Sequence, residues 1–203
     1  MSATRHDPRT PKTKAALGFK PRTGKSTVIA VSGKADAPVI LVKALAQVAF
    51  TFEEGAIFHV AQEKPLATAR QFLQERERAF VTRAREELAR IIGSDIEIVA
   101  AVLAAPSPKE LPPLESILKA HPLVHAAEGE LYRRVFAEAC SALGAQPERV
   151  PAEALASRVG KAAGLSAAKV ATHLAAMGKA SGKPWAAEQK EAALAAWLAL
   201  ATA

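Results

Sequence analysis

The 203-residue chain reads as one α/β domain, a mixed five-stranded sheet flanked by helices in the order β-β-β-α-β-α-β-α. Three observations lead there. Residues 15–52 hold three extended segments divided by turns bearing Gly and Pro, the pattern of an antiparallel meander. Residues 96–105, IEIVAAVLAA, form an almost unbroken apolar run of strand length, which suits a strand covered on both faces. Three helical regions accompany them, each entered through proline, the first two left through glycine. Half of the residues are apolar, enough to bury one core without disulfides or a structural metal.

Taken in order, residues 1–14 are rich in Pro, Thr, Lys and Arg without hydrophobic period, so a disordered basic arm is expected before a single domain over residues 15–203. Residues 15–20 are extended, 21–25 turn, and 26–32 alternate as a second strand. Residues 33–38 turn again into a long third strand, 39–52. Pro65 opens a helix reaching Ile92, with Leu66, Ala69, Leu73, Phe80, Ala84, Leu88 and Ile91 on one face, and Arg and Glu opposite. The apolar run 96–105 is expected at the sheet centre. Pro112 and Pro113 start the second helical region, Pro122 interrupts or restarts it, and Gly144 ends it. A short extended piece at 148–151 precedes small helices with Gly breaks over 152–182, and Pro184 begins the last helix.

The formal charge of +7 is local: residues 1–25 carry seven cations and one acid, leaving +1 for the remainder. Such a segment attracts phosphates, although basic ends are also found simply solvated, and both readings stay open. No apolar stretch reaches the roughly 20 residues that span a bilayer, and no secretory leader is expected, so the cytoplasm is the default compartment. Cys140, the single cysteine, is expected to be a buried, inert thiol, having no basic or helix-start neighbour.

Three segments together resemble the ribonuclease-H-like fold and, within it, the RuvC-type Holliday-junction resolvases. ALGFKPRTGKSTVIAVSG, residues 16–33, is similar to that family's first strand, tight turn and second strand. VPAEALASRVGKAAGLSAAKVATHLAAMG, residues 150–178, resembles its fifth strand and the helices after it, and EQKEAALAAWLAL, residues 188–200, its last helix. The resemblance implies two-metal chemistry held by acids on the first strand, at the end of the fourth strand, and as a pair on the last helix. Carried over, the first-strand acid falls on Lys20, the fourth-strand acid falls within the apolar residues 99–106, and only the pair survives, as Glu188 and Glu191. An ammonium at a metal position repels a cation, so cleavage by that mechanism is not expected.

GKST at Gly24 to Thr27 fails as a phosphate loop, because the spacing from Gly18 is one residue too long and a strand follows where a helix is required. A second cluster lies in HPLVHAAEGELYRR, residues 121–134. At about 100° per residue, His121, His125 and Glu128 fall on the apolar stripe of Leu114, Leu118, Tyr132, Val135, Ala139 and Leu143, while Glu130, Arg133 and Arg134 point to solvent. Buried there, the polar groups need partners. Two readings remain open: an internal network, or a site in which Glu128 raises the basicity of His125 or joins His121 and His125 as metal ligands. His59, expected in a strand or turn, and His173 are read as ordinary.

The expectation is a ribonuclease-H-like domain with a degenerate acid site that binds DNA or RNA through Lys20, Arg22 and Lys25. No cofactor is predicted, with a divalent metal left as the open alternative. One alternative is an enzyme with a replaced active site, in which His125 and Glu128 converge with Glu188 and Glu191. Another is a scaffold or homodimer whose Ala-rich last helix docks through Trp197.

Overall fold

The computed structural model describes residues 11–203. Most of the expected basic arm therefore lies outside the described residues, and its last two positions open the first strand. β1 (Thr13–Arg22), β2 (Lys25–Lys34) and β3 (Ala37–Gln47) form the meander, with β1–β2 and β2–β3 antiparallel. β1 turns into β2 through Thr23 and Gly24, whose φ of 73° is left-handed and suits a residue without a β-carbon. β4 (Ile96–Ala104) runs parallel to β1, and β5 (Glu148–Val150) parallel to β4, giving the order β3-β2-β1-β4-β5.

The centre of the sheet is thus β1 and not the apolar run of β4. Ala15, Ala16, Leu17 and Phe19 are wholly buried, whereas β4 leaves Glu97 and Val99 exposed near its start. Apolarity marked β4 as covered on both faces, but the order of strand pairing decides which strand is central. The third strand also stops at Gln47 instead of Phe52. Val48 and Ala49 turn their amides back onto the Gly24 carbonyl (2.8 and 3.1 Å), ending the ladder. The chain then forms α1 (Phe52–Gly55), capped by the Thr51 hydroxyl, and α2 (Ile57–Gln62), a helix where an extended segment or turn was expected.

α3 (Leu66–Ile92) follows Pro65 and ends at Gly93 as its period predicts. α4 (Leu114–Lys119) and α5 (His121–Ser141) are separated at Ala120, with Pro122 in the first turn of α5, where its missing N–H costs nothing. With α1 and α2 these helices cover one face of the sheet. Leu17, Phe19, Val28, Ala30, Ala101 and Leu103 point into that layer.

α6 (Ala152–Ala163), α7 (Ala167–Ser181) and α8 (Ala187–Thr202) cover the other face, over Ala16, Ile29, Val31, Val102 and Ala104. α8 lies flat on β1 and is buried throughout residues 192–199. Its alanines permit that approach, and so does Gly18 of β1, where a β-carbon would collide with the Ala192 carbonyl oxygen and the Ala196 nitrogen. Trp197 is fully buried and donates Nε1–H to the Ala35 carbonyl at 2.7 Å. It is therefore a core residue, and α8 cannot dock a partner through it. Among the described residues no helix is long and apolar enough to cross a membrane.

Candidate functional site

The end of β1 meets the start of α8 in a cluster of ions. Strand alternation turns Lys20 to the α8 side, the side of Ala16 and Gly18, opposite Thr27 in the β1–β2 register. Glu188 and Glu191, three residues apart in the first turns of α8, face back toward the sheet. Lys20 Nζ lies 2.5 Å from Glu191 Oε2, and Arg22 Nη1 donates to Glu188 Oε1 at 2.6 Å. Thr27 Oγ1 reaches the second Glu188 oxygen at 3.5 Å. Carboxylates are well placed at a helix start, where the dipole is positive.

The neighbouring position on β4 carries no acid. Phe19 pairs with Leu103, so the residue beside Lys20 is Ala104, buried on the same face and followed by Ala105 and Pro106. Lys43 of β3 donates to the carbonyls of Ser181, Gly182 and Pro184 (2.9, 2.5 and 3.2 Å), tying the α7–α8 connection to the sheet. Beside it lies an open cavity of about 320 Å³, lined by Lys25, Thr27, Lys43, Pro184, Glu188 and Gln189. The three cations read from the sequence, Lys20, Arg22 and Lys25, are therefore neighbours, Lys20 and Arg22 already holding carboxylates.

The second cluster is on the other face of the sheet. His121 and His125, one turn apart at the start of α5, place their Nε2 atoms 2.9 Å from each other. Both are exposed, so neither bears the burial expected of the apolar stripe; the first turn of α5 projects past the core that begins at Val124. Glu128 is buried, but its partner is not His125. Its Oε1 accepts from His59 Nδ1 at 2.9 Å and from the His59 amide at 3.4 Å. The ring of His59 stands edge-on to both other imidazoles, with centroids 5.2 Å from His121 and 4.8 Å from His125. One ring nitrogen from each of the three histidines lies within 4.8 Å of the others.

His59 was not legible as a member. The available signal was the run IFHVAQ, whose Ile57, Phe58 and Ala61 are buried as in a short amphipathic helix. No local pattern links it to Glu128, 69 residues on. Tyr132, one turn beyond Glu128, donates its hydroxyl to the Gly55 carbonyl at 2.7 Å, fixing α1 against α5. Burial first, then the Glu128 charge, hold that phenol well above its ordinary range, so it stays a donor.

Four further expectations are corrected or sharpened. α5 and α8 lie on opposite faces of the sheet, so His125 and Glu128 do not converge with Glu188 and Glu191. Glu130 does not point to solvent: it is buried and bridges Arg149 of β5 (2.7 Å) and Arg133 (3.4 Å). His173, read as ordinary, stacks edge-on to Trp197 at 5.7 Å between centroids. Cys140 is buried, and burial pushes its thiol up to about 12.

Comparison with known proteins adds the fold. No family model and no curated protein matches the chain. Among solved structures it is similar to RuvC of Thermus thermophilus in complex with Holliday junction substrate, with a TM-score of 0.54 and 12% identity, 91% of each chain being covered. A second Thermus thermophilus RuvC structure gives a TM-score of 0.51 and 13% identity, covering 91% of this chain and 92% of the other. With the strand order above, this likeness establishes a ribonuclease-H-like fold of the RuvC type.

Proposed function

We propose, from the premise of a RuvC-like fold, that this domain binds structured nucleic acid and does not cleave it by two-metal chemistry. One observation carries the reading: the ion pair of Lys20 with Glu191 at 2.5 Å. Two-metal hydrolysis needs divalent ions about 3.5–4 Å apart, bridged by carboxylates from several elements. Here, among the described residues, the acids beside Lys20 come from α8, and each is met by a cation on β1. An ammonium standing against Glu191 supplies one positive charge where a metal would supply two, and it opposes entry of a cation. What remains is a basic surface: Lys20, Arg22, Lys25 and Lys43 outnumber Glu188 and Glu191 by two charges. Lys43 is committed to backbone carbonyls and Lys20 to Glu191, which leaves the exposed Lys25 for phosphate oxygens, joined by Arg22, also exposed, when its guanidinium turns from Glu188 to a phosphate.

The test is binding of labelled four-way junction, duplex and single-stranded DNA, with RNA counterparts, over a salt series. Full-length protein is compared with a version lacking residues 1–10. Salt-sensitive binding that favours one structure and survives the truncation supports the reading. Arg22→Ala and Lys25→Ala should each lower the slope of log K against log salt by about 1. Binding that vanishes with residues 1–10 refutes the folded surface as the reader. Mg²⁺- or Mn²⁺-dependent cleavage that Glu191→Gln abolishes refutes the loss of catalysis.

A further inference from the structure

We propose that α2 and the first turns of α5 form a binding site for a zinc-class ion, with His59, His121 and His125 as ligands and Glu128 as the group that orients His59. The site is separate from the β1–α8 cluster and does not depend on the nucleic-acid reading.

The chemistry is in the placement of the ring nitrogens. His59 Nδ1 donates to Glu128, so its proton is fixed on that side and the lone pair of Nε2 is left free, which is the tautomer a metal requires. A buried carboxylate behind a ligating imidazole also raises its basicity. His121 and His125, spaced i and i+4, present their Nε2 atoms on one side of α5. Two nitrogens bound at ~2.0–2.1 Å to one tetrahedral ion stand about 3.3 Å apart, so the His121–His125 pair at 2.9 Å needs to open by a few tenths of an ångström, and the His59 ring, whose nitrogen lies within 4.8 Å of the others, closes toward them by side-chain rotation.

A purely structural network accounts for His59 and Glu128 but not for the other two rings. Both are exposed, and in the absence of a cation one shared proton is all that joins their facing nitrogens. An ion takes the lone pairs of all three at once. Imidazole suits Zn²⁺, Cu²⁺ or Ni²⁺ and not Mg²⁺, so this is not a displaced version of an oxygen-ligated site. Exposure of His121 and His125 leaves the fourth position to water, the arrangement of an open rather than a closed zinc site. The frame is rigid: the His59 amide also bonds Glu128, and Tyr132 pins α1 one turn further along.

The experiment is titration of untagged, chelator-treated full-length protein with Zn²⁺ alone, read by calorimetry, and with Co²⁺, read by visible absorption. One ion per chain is expected, with the intense bands of tetrahedral Co²⁺. His59→Ala, His121→Ala and His125→Ala should each abolish stoichiometric binding, Glu128→Gln should weaken it about 10–100-fold, and His173→Ala, on the opposite face of the sheet, should leave it unchanged. The exposed His121 and His125 make those two variants safe for folding, and their metal-free melting temperature should equal that of the parent. Zn²⁺ should raise the melting temperature of the parent and not of His125→Ala. Substoichiometric binding overturns the proposal. So does binding that survives His59→Ala, which would reduce the site to a surface histidine pair.

Discussion

Replacing Lys20 by Met removes the cation that faces Glu191 and keeps most of the side-chain bulk. The two groups are 2.5 Å apart and each is about three-quarters buried, at 24% and 26% exposure. Fully exposed pairs contribute about 0.2–1 kcal/mol, while breaking a fully buried pair costs about 3–5 kcal/mol because one charge is left without a partner. The Lys20–Glu191 pair lies between these limits, so Lys20→Met should cost about 1–3 kcal/mol. Glu191→Gln should cost less, since an amide can still meet the ammonium. The double variant should lose less than the sum, with a coupling of about 1–2 kcal/mol. Urea unfolding of the four proteins measures this, provided the m-value is constant across the set. Salt at half-molar strength should reduce the coupling only partly, because solvent ions reach a partly buried pair poorly. A coupling below about 0.3 kcal/mol would show that Lys20 does not hold Glu191, and the view of Lys20 as the cation of this site would fail.

Two further outcomes follow from the packing. Gly18→Ala drives a β-carbon into the backbone of α8, which cannot move aside as a side chain can; a loss of about 2–3 kcal/mol is expected, seen as a melting temperature lowered by about 2–4 °C per kcal/mol, and an unchanged melting curve would show that α8 is not seated on β1. Cys140 is raised to about 12 in the folded chain, against an ordinary thiol near 8.5–9 when unfolded, so the unfolded state loses its proton first and stability should fall as pH rises from about 9 toward 12. Cys140→Ala should flatten that decline, measured as the urea midpoint at pH 8 and pH 10, and Cys140 should resist thiol reagents until the protein unfolds.

The parts of the fold that could be read from sequence are those set by local chemistry. Pro65 and Gly93 bracket α3, Pro122 restarts a helix at α5, and the tight Thr23–Gly24 turn joins two alternating strands. What could not be read depends on pairing across the chain. The apolar β4 lies beside the centre and not at it, because the β2–β3 hairpin adds two strands on the far side of β1 while only the short β5 lies beyond β4. The Ala-rich α8 had the texture of a docking surface; it is uniformly apolar because the sheet covers one side of it and α6 and α7 pack around it. Lys20, Glu188 and Glu191 were legible as one site only through family resemblance, and their ion pairs follow from strand alternation meeting helix spacing. Helical period gave the proximity of His121 and His125 but not their exposure, and nothing local assigned Glu128 to His59.

The two clusters share an end of the sheet while lying on opposite faces. α1 sits against the β1–β2 turn, where a β-carbon at Gly55 would lie 3.5 Å from Thr23 Cγ2 and 3.5 Å from the Tyr132 hydroxyl. Tyr132 and Glu128 are one turn apart on α5, so the segment that positions His59 also braces the turn that follows Lys20 and Arg22. Their chemistries differ in kind. At the β1–α8 face the carboxylates are met by lysine and arginine. At the α2–α5 face three imidazoles stand over one buried carboxylate, a donor set suited to a borderline cation. An ion stapling α2 to α5 would stabilise the frame behind the β1–β2 turn, by about 2.7 kcal/mol at a hundredfold excess over its dissociation constant.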